Sequence, residues 1–127
     1  MKKNVSVKYY EKNEELLIIK KYQELILYVY NLIKKFPNTE VFLLTSDIKK
    51  NLLLGLEKLI FAKRVRNNNL KLNYLIKVEA YLNIMKIYVR MAIKNKYINR
   101  RNYTAWSYKI TEIDNMLNKW IGSCQRR

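Results

Sequence analysis

Lys86, Arg90 and Lys94 recur every four residues, the spacing that aligns side chains in one row on an α-helix. At 1.5 Å rise per residue the row is about 12 Å long, enough to follow several phosphates of a nucleic-acid backbone. Lys96, Arg100 and Arg101 follow directly, Lys63, Arg64 and Arg66 form an earlier basic cluster, and no acid lies between Glu79 and Glu112. Such cations bind anions, either phosphates or the carboxylates of a protein partner, and arginine can grip either with two parallel hydrogen bonds. Phosphate contacts carry no base information, so binding to RNA or DNA through this surface is expected to be independent of sequence. The plainer reading is a solvated charged face that aids solubility. The exclusion of acids over the whole stretch favours a binding surface.

Catalytic chemistry has little to draw on. The chain has no histidine, its one cysteine is Cys124, and no glycine-rich phosphate loop occurs. A carboxylate-bridged metal pair would need Glu-x-x-His repeats, and these are missing. Glu57 and Glu79, the acids nearest the middle of helical segments, read as salt-bridge partners. The expectation is a protein that is not an enzyme and takes no metal or cofactor. Tyrosines could stack on bases, but Tyr22, Tyr74, Tyr81, Tyr88 and Tyr103 fall on apolar stripes and read as core or subunit interface.

The bulk composition agrees with a binding module. At 127 residues there is room for one domain, and two glycines with one proline leave few turns, so the chain must be mostly long helices. The formal charge is +16 and uneven: 13 basic against 7 acidic residues give +6 over residues 1–64, and 13 against 3 give +10 over residues 65–127. A field of that strength draws in polyanions. With no apolar signal core after Met1-Lys2-Lys3, no stretch of about 18 apolar residues and no disulfide framework, the chain reads as cytoplasmic, without a membrane partner.

Four helical segments position these groups. Residues 1–13 read as a basic N-terminal segment with Tyr9 and Tyr10 as possible anchors. Apolar residues stepping by threes and fours predict helices over about 14–36, 39–64, 70–96 and 99–121, within one domain spanning 14–123 and followed by a basic tail at 124–127. In the third segment Leu75, Val78, Leu82, Met85, Val89 and Ala92 make the core stripe, and Tyr74, Tyr81 and Tyr88 a second apolar stripe beside it. Pro37 stops the first helix, Asn38 or Thr39 is a natural cap for the second, Asn99 caps the fourth and Gly122 ends it. Short connections make this an all-α, antiparallel, up-down-up-down four-helix bundle. The second segment is apolar on more than one side, Leu53, Leu54, Leu56, Ile60 and Phe61 exceeding what one core needs. Leu53 and Ile60, with Tyr74, Tyr81 and Tyr88, are therefore expected at an interface between subunits of a homo-oligomeric ring.

Three groups of residues carry a resemblance. Lys35-Phe36-Pro37 closes the first helix; Leu82-x-x-Met85-Lys86-x-x-x-Arg90-Met91-Ala92 runs along the third; Tyr103…Glu112-Ile113-x-x-Met116-Leu117-x-x-Trp120-Ile121 lies on the fourth. Over about residues 16–123 the chain resembles the accessory variability determinant (Avd) proteins of diversity-generating retroelements, part of a wider four-helix family that includes proteins encoded in 23S rRNA intervening sequences. The resemblance implies a ring-like homopentamer with a basic surface that binds the element's reverse transcriptase and template RNA and supports mutagenic copying of a template repeat into a variable repeat. The family's basic pair on the third helix falls on Lys86 and Arg90, which the resemblance makes candidates for reverse transcriptase or RNA contact. Lysine at 86 keeps the charge of arginine without its planar fork. Val41 stands where the family often has a basic residue near the start of the second helix. The alternatives are an intervening-sequence type of four-helix protein and a basic structural oligomer.

Overall fold

The computed structural model describes residues 2–126, with side chains described from residue 13 onward. The only regular elements among them are helices: α1 (Lys2–Ile33), a 3₁₀ turn (Asn38–Glu40), α2 (Leu44–Arg64), α3 (Asn68–Lys94) and α4 (Arg100–Gln125). Each helix packs on its neighbours in sequence, and α1 closes the ring of contacts against α4, leaving the diagonal pairs apart. Cross-helix pairs fix the directions. Lys21 meets Glu112 while Tyr28 meets Asn102; Asn51 meets Tyr81 while Phe61 meets Tyr74; Lys86 meets Asp114 while Lys71 lies over Trp120. In every pair the residue numbers run in opposite senses, so neighbouring helices are antiparallel and the bundle runs up-down-up-down.

The core follows the apolar stripes. Ile18, Tyr22, Leu25 and Val29 from α1 meet Ile48, Leu52, Leu59 and Ala62 from α2, the six-residue stripe of α3, and Trp106, Ile110, Ile113 and Leu117 from α4. Burying each such large side chain stabilises the fold by roughly 1.5–3 kcal/mol. Among the described residues Tyr22 is the one tyrosine wholly inside, and its hydroxyl donates to the Leu52 carbonyl at 2.9 Å. Burial pushes its pKa well above the usual tyrosine range. Opposite it stands Gly55, where even a Cβ would collide with the Tyr22 hydroxyl. Glycine is required there by close approach of α1, not by backbone conformation.

Helix ends differ from the sequence expectation in four places. α1 is continuous from Lys2, because residues 2–13 contain neither proline nor glycine to interrupt it. The side chains of Tyr9 and Tyr10, and Arg127 of the basic tail, lie outside the described residues. At its other end α1 stops at Ile33, and Lys35 and Phe36 close a tighter turn by donating to Leu32 and Ile33 before Pro37. α2 starts at Leu44 and not near residue 39, since the 3₁₀ turn and the following Val41–Leu43 segment intervene. Val41 continues the three-and-four spacing of the α2 core residues but lies before the helix, and it is exposed, as are Phe42 and Leu43. α4 continues past Gly122 to Gln125, because Gly122 keeps helical geometry and its carbonyl accepts from Arg126. Cys124, placed in the tail by sequence, is consequently buried against the bundle.

Candidate nucleic-acid and partner interface

Asparagines hold the ends of the helices that carry the cations. The Asn67 side chain accepts from the Leu70 amide at 3.0 Å and starts α3; Asn99 accepts from the Asn102 amide at 2.8 Å and starts α4. Between α3 and α4 the chain turns through Lys96, whose φ of 63° is left-handed, a conformation that L side chains adopt at a cost. Its amide donates to Ile93, and Tyr97 donates backbone and side chain inward, to the Ala92 carbonyl and to Glu40 Oε1 at 2.9 Å. The Glu40 carboxylate accepting this bond raises the Tyr97 pKa. With the Tyr97 ring 5.3 Å from that of Phe36, the α1–α2 and α3–α4 connections are tied to each other at this end of the bundle.

The basic row on α3 is not uniform. Lys86 donates to Asp114 of α4 at 3.2 Å and lies 3.4 Å from Asn83, so it is half-buried and its charge is matched within the chain. Arg90 and Lys94 are exposed and form no ion pair among the described residues. The Lys86–Asp114 pair sets the register of α3 against α4, placing Arg90 and Lys94 one and two turns nearer the α3–α4 connection. There they join Lys96 and the exposed Arg100 and Arg101 of the first turn of α4. Two arginines at a helix N-terminus oppose the macrodipole, so their position does not serve the stability of α4.

Lys63, Arg64 and Arg66 sit elsewhere. They flank the α2–α3 connection, at the opposite end of α3, about 39 Å away along 26 residue steps. The nine candidate cations thus form two groups at opposite ends of the bundle, with Lys86 between them and already paired.

The five candidate interface residues also divide. Tyr74, Tyr81 and Tyr88 are half-buried in the seam between α2 and α3: the Tyr74 ring is 5.4 Å from Phe61, and the Tyr81 carbonyl accepts from Asn51 at 2.9 Å. Burial, reinforced by nearby Asp47, raises the Tyr88 pKa. Leu53 and Ile60 lie on the other flank of α2. Lys49, which reaches the Tyr30 ring of α1 at 5.6 Å, marks that flank, and Leu53 and Ile60 follow it at four and eleven residues, on the same side of the helix. The two sets face different neighbours and do not share one surface.

Two hollows were not anticipated. A cleft of about 330 Å³ lies between α1 and α4, lined by Leu17, Ile18, Met116 and Trp120 and rimmed by charges of both signs. Two of its three lysines are paired, Lys21 with Glu112 at 3.3 Å and Lys71 with Glu15 at 3.8 Å, and the bond to Glu112 raises the Lys21 pKa. A smaller hollow of about 180 Å³ lies where α1 meets the start of α2, among Tyr30, Lys34, Phe36, Val41, Thr45 and Lys49. The sequence signal for it is the run Val41-Phe42-Leu43-Leu44, four apolar residues in a row where a helix face would expose at least one. Among the described residues no group of three or more His, Cys, Asp or Glu could hold a metal ion, and no helix is long and apolar enough to cross a membrane.

A comparison with curated proteins gave no match. Among solved structures, the chain is similar to a protein of unknown function from the S23 ribosomal protein family of Bacteroides thetaiotaomicron VPI-5482. The two are 20% identical with a TM-score of 0.78, over 86% of this chain and 98% of that one, a likeness in fold. The bAvd-like family matches residues 16–124, from the middle of α1 to the end of α4. The chain belongs to the bAvd-like family.

Proposed function

We propose that this protein is a non-catalytic accessory subunit of a diversity-generating retroelement, binding the element's reverse transcriptase and its template RNA or cDNA in support of mutagenic retrohoming. The observation that carries this reading is the family match over residues 16–124 in a chain of net charge +16. The unpaired cations at the α3–α4 end, Arg90, Lys94, Arg100 and Arg101, supply a phosphate-binding surface, and Lys63, Arg64 and Arg66 supply a second at the far end. Assembly as a homopentameric ring would repeat both surfaces around an axis, so that their potentials add. Exposed Leu53 and Ile60 are the side chains on α2 that such an assembly would cover.

Co-purification with the reverse transcriptase of the same locus tests the reading, with nuclease added and salt raised in steps. Retention after nuclease, weakening as salt rises, is the expected result and marks a direct contact through charges. No association under any condition would remove the retroelement reading. Arg90→Glu combined with Lys94→Glu should lower RNA affinity by at least tenfold at moderate salt while leaving the thermal midpoint unchanged, since neither side chain is paired within the subunit.

A further inference from the structure

The corner where α1 hands over to α2 presents an apolar tip beside a cationic hollow. Phe42 is 88% exposed, between Val41 at 45% and Leu43 at 63%, and it is the most exposed large apolar side chain among the described residues. Val41 also lines the 180 Å³ hollow, so tip and hollow are contiguous. The hollow carries Lys34 from the turn after α1 and Lys49 from α2 on its walls. Neither acid of this corner lines it: Glu40 is bonded to Tyr97, and Asp47 of the first turn of α2 acts electrostatically on Tyr88 of α3. Only cations therefore face the hollow.

Two features leave hydrogen-bonding capacity there. Leu43 is the N-cap of α2 and offers no side-chain bond, so no side chain caps the first-turn N–H groups of the helix. Thr45, which lines the hollow and is 94% buried, has a hydroxyl with no hydrogen-bond partner. A buried hydroxyl without a partner destabilises the free protein, and an anion entering beside it would supply an acceptor. The volume equals roughly six waters' share of liquid, room for a phosphate group that keeps some hydration.

We propose that Phe42 and the Lys34–Thr45–Lys49 hollow together form a site for one unpaired nucleotide of a single-stranded nucleic acid. The base stacks on the exposed Phe42 ring, and the neighbouring phosphate sits in the hollow between the two lysines, at the N-terminus of α2. The inference rests on the nucleic-acid reading above and adds to it a preference for single strands, because a base paired within a duplex has no free face to offer the ring. An apolar tip in a basic surround would also suit an anionic membrane. One phenylalanine inserts little apolar area, however, and the hollow's hydroxyl and open helix end match a phosphate held at close range.

The test uses fluorescence anisotropy of the full chain with a labelled 20-nucleotide single-stranded RNA and, separately, the duplex of the same sequence at the same salt. Phe42→Ala should weaken single-strand binding roughly tenfold, the scale of one lost stacking contact, and change duplex binding less than twofold. Thr45→Val, which keeps the shape and removes the hydroxyl, should weaken single-strand binding several-fold without lowering the thermal midpoint. Arg90→Glu, outside the site, should weaken both probes. Failure of Phe42→Ala to weaken the single strand, while Arg90→Glu still acts, would overturn the site and leave the nucleic-acid reading standing. Binding of neither probe by the wild-type chain would overturn both. Phe42-dependent flotation with phosphatidylserine vesicles, with RNA binding unchanged in Phe42→Ala, would assign the tip to a membrane surface instead.

Discussion

At the scale of single residues, the contact between Tyr22 and Gly55 sets how closely α1 and α2 approach. Alanine is the better helix former by about 1 kcal/mol, so on propensity alone Gly55→Ala would stabilise α2. Its Cβ would drive into the Tyr22 hydroxyl, and overpacking of this kind costs about 1–3 kcal/mol. Urea denaturation of Gly55→Ala should therefore show a net loss of stability, and that loss should shrink in a Tyr22→Phe background, where the nearest clashing atom is gone. A stabilised Gly55→Ala protein would show that the helices can part without penalty. The same tyrosine supplies a pH signature. Its folded pKa is raised by burial, so above about pH 10 the unfolded chain releases a proton that the native state retains. Its contribution is fully present below that pH and is lost as pH rises further. The stability difference between wild type and Tyr22→Phe should fall through this alkaline range, whereas a constant difference would mean that Tyr22 is open to water.

At the scale of elements, the connections rather than the helices hold the strain. Lys96 is left-handed between α3 and α4, and Lys96→Gly should raise stability by about 1 kcal/mol, read as a higher thermal midpoint, if the turn keeps its shape. The helices themselves were legible from the sequence because their apolar residues step by threes and fours without interruption. The core stripe of α3 is wholly buried from Leu75 to Ala92. What periodicity could not show was where helices stop, since Leu44 and Val41 fit the same stripe although only Leu44 is helical and buried. Nor could it separate an unpaired cation from a paired one. Lys86 and Arg90 stand one turn apart on α3, and only the approach of Asp114 from α4 distinguishes them. The apolar excess on α2 was legible as a surplus, but its division between the α1 and α3 flanks depends on helix rotation, which a single sequence does not fix.

At the scale of the whole molecule, affinity for polyanions should scale with the unpaired cations and not with the formal charge of +16. The slope of log affinity against log salt counts released counterions, and neutralising Arg90, Lys94, Arg100 and Arg101 should flatten it. Lys86→Met should leave it nearly unchanged, because that ammonium is already matched by Asp114. An equal loss of slope from Lys86→Met would show that the pair opens on binding. The pairing pattern has one more result. Lys21 and Lys71 are held by Glu112 and Glu15, and Lys86 by Asp114. Lys63, Arg64 and Arg66 beside the α2–α3 connection, and Arg90, Lys94, Arg100 and Arg101 towards the α3–α4 connection, form no ion pair among the described residues. Free cations thus stand at both ends of the bundle, about 39 Å apart along α3. An extended strand of that reach bridges the two poles and is held twice, whereas a shorter one engages a single pole and leaves the other free to capture a second strand.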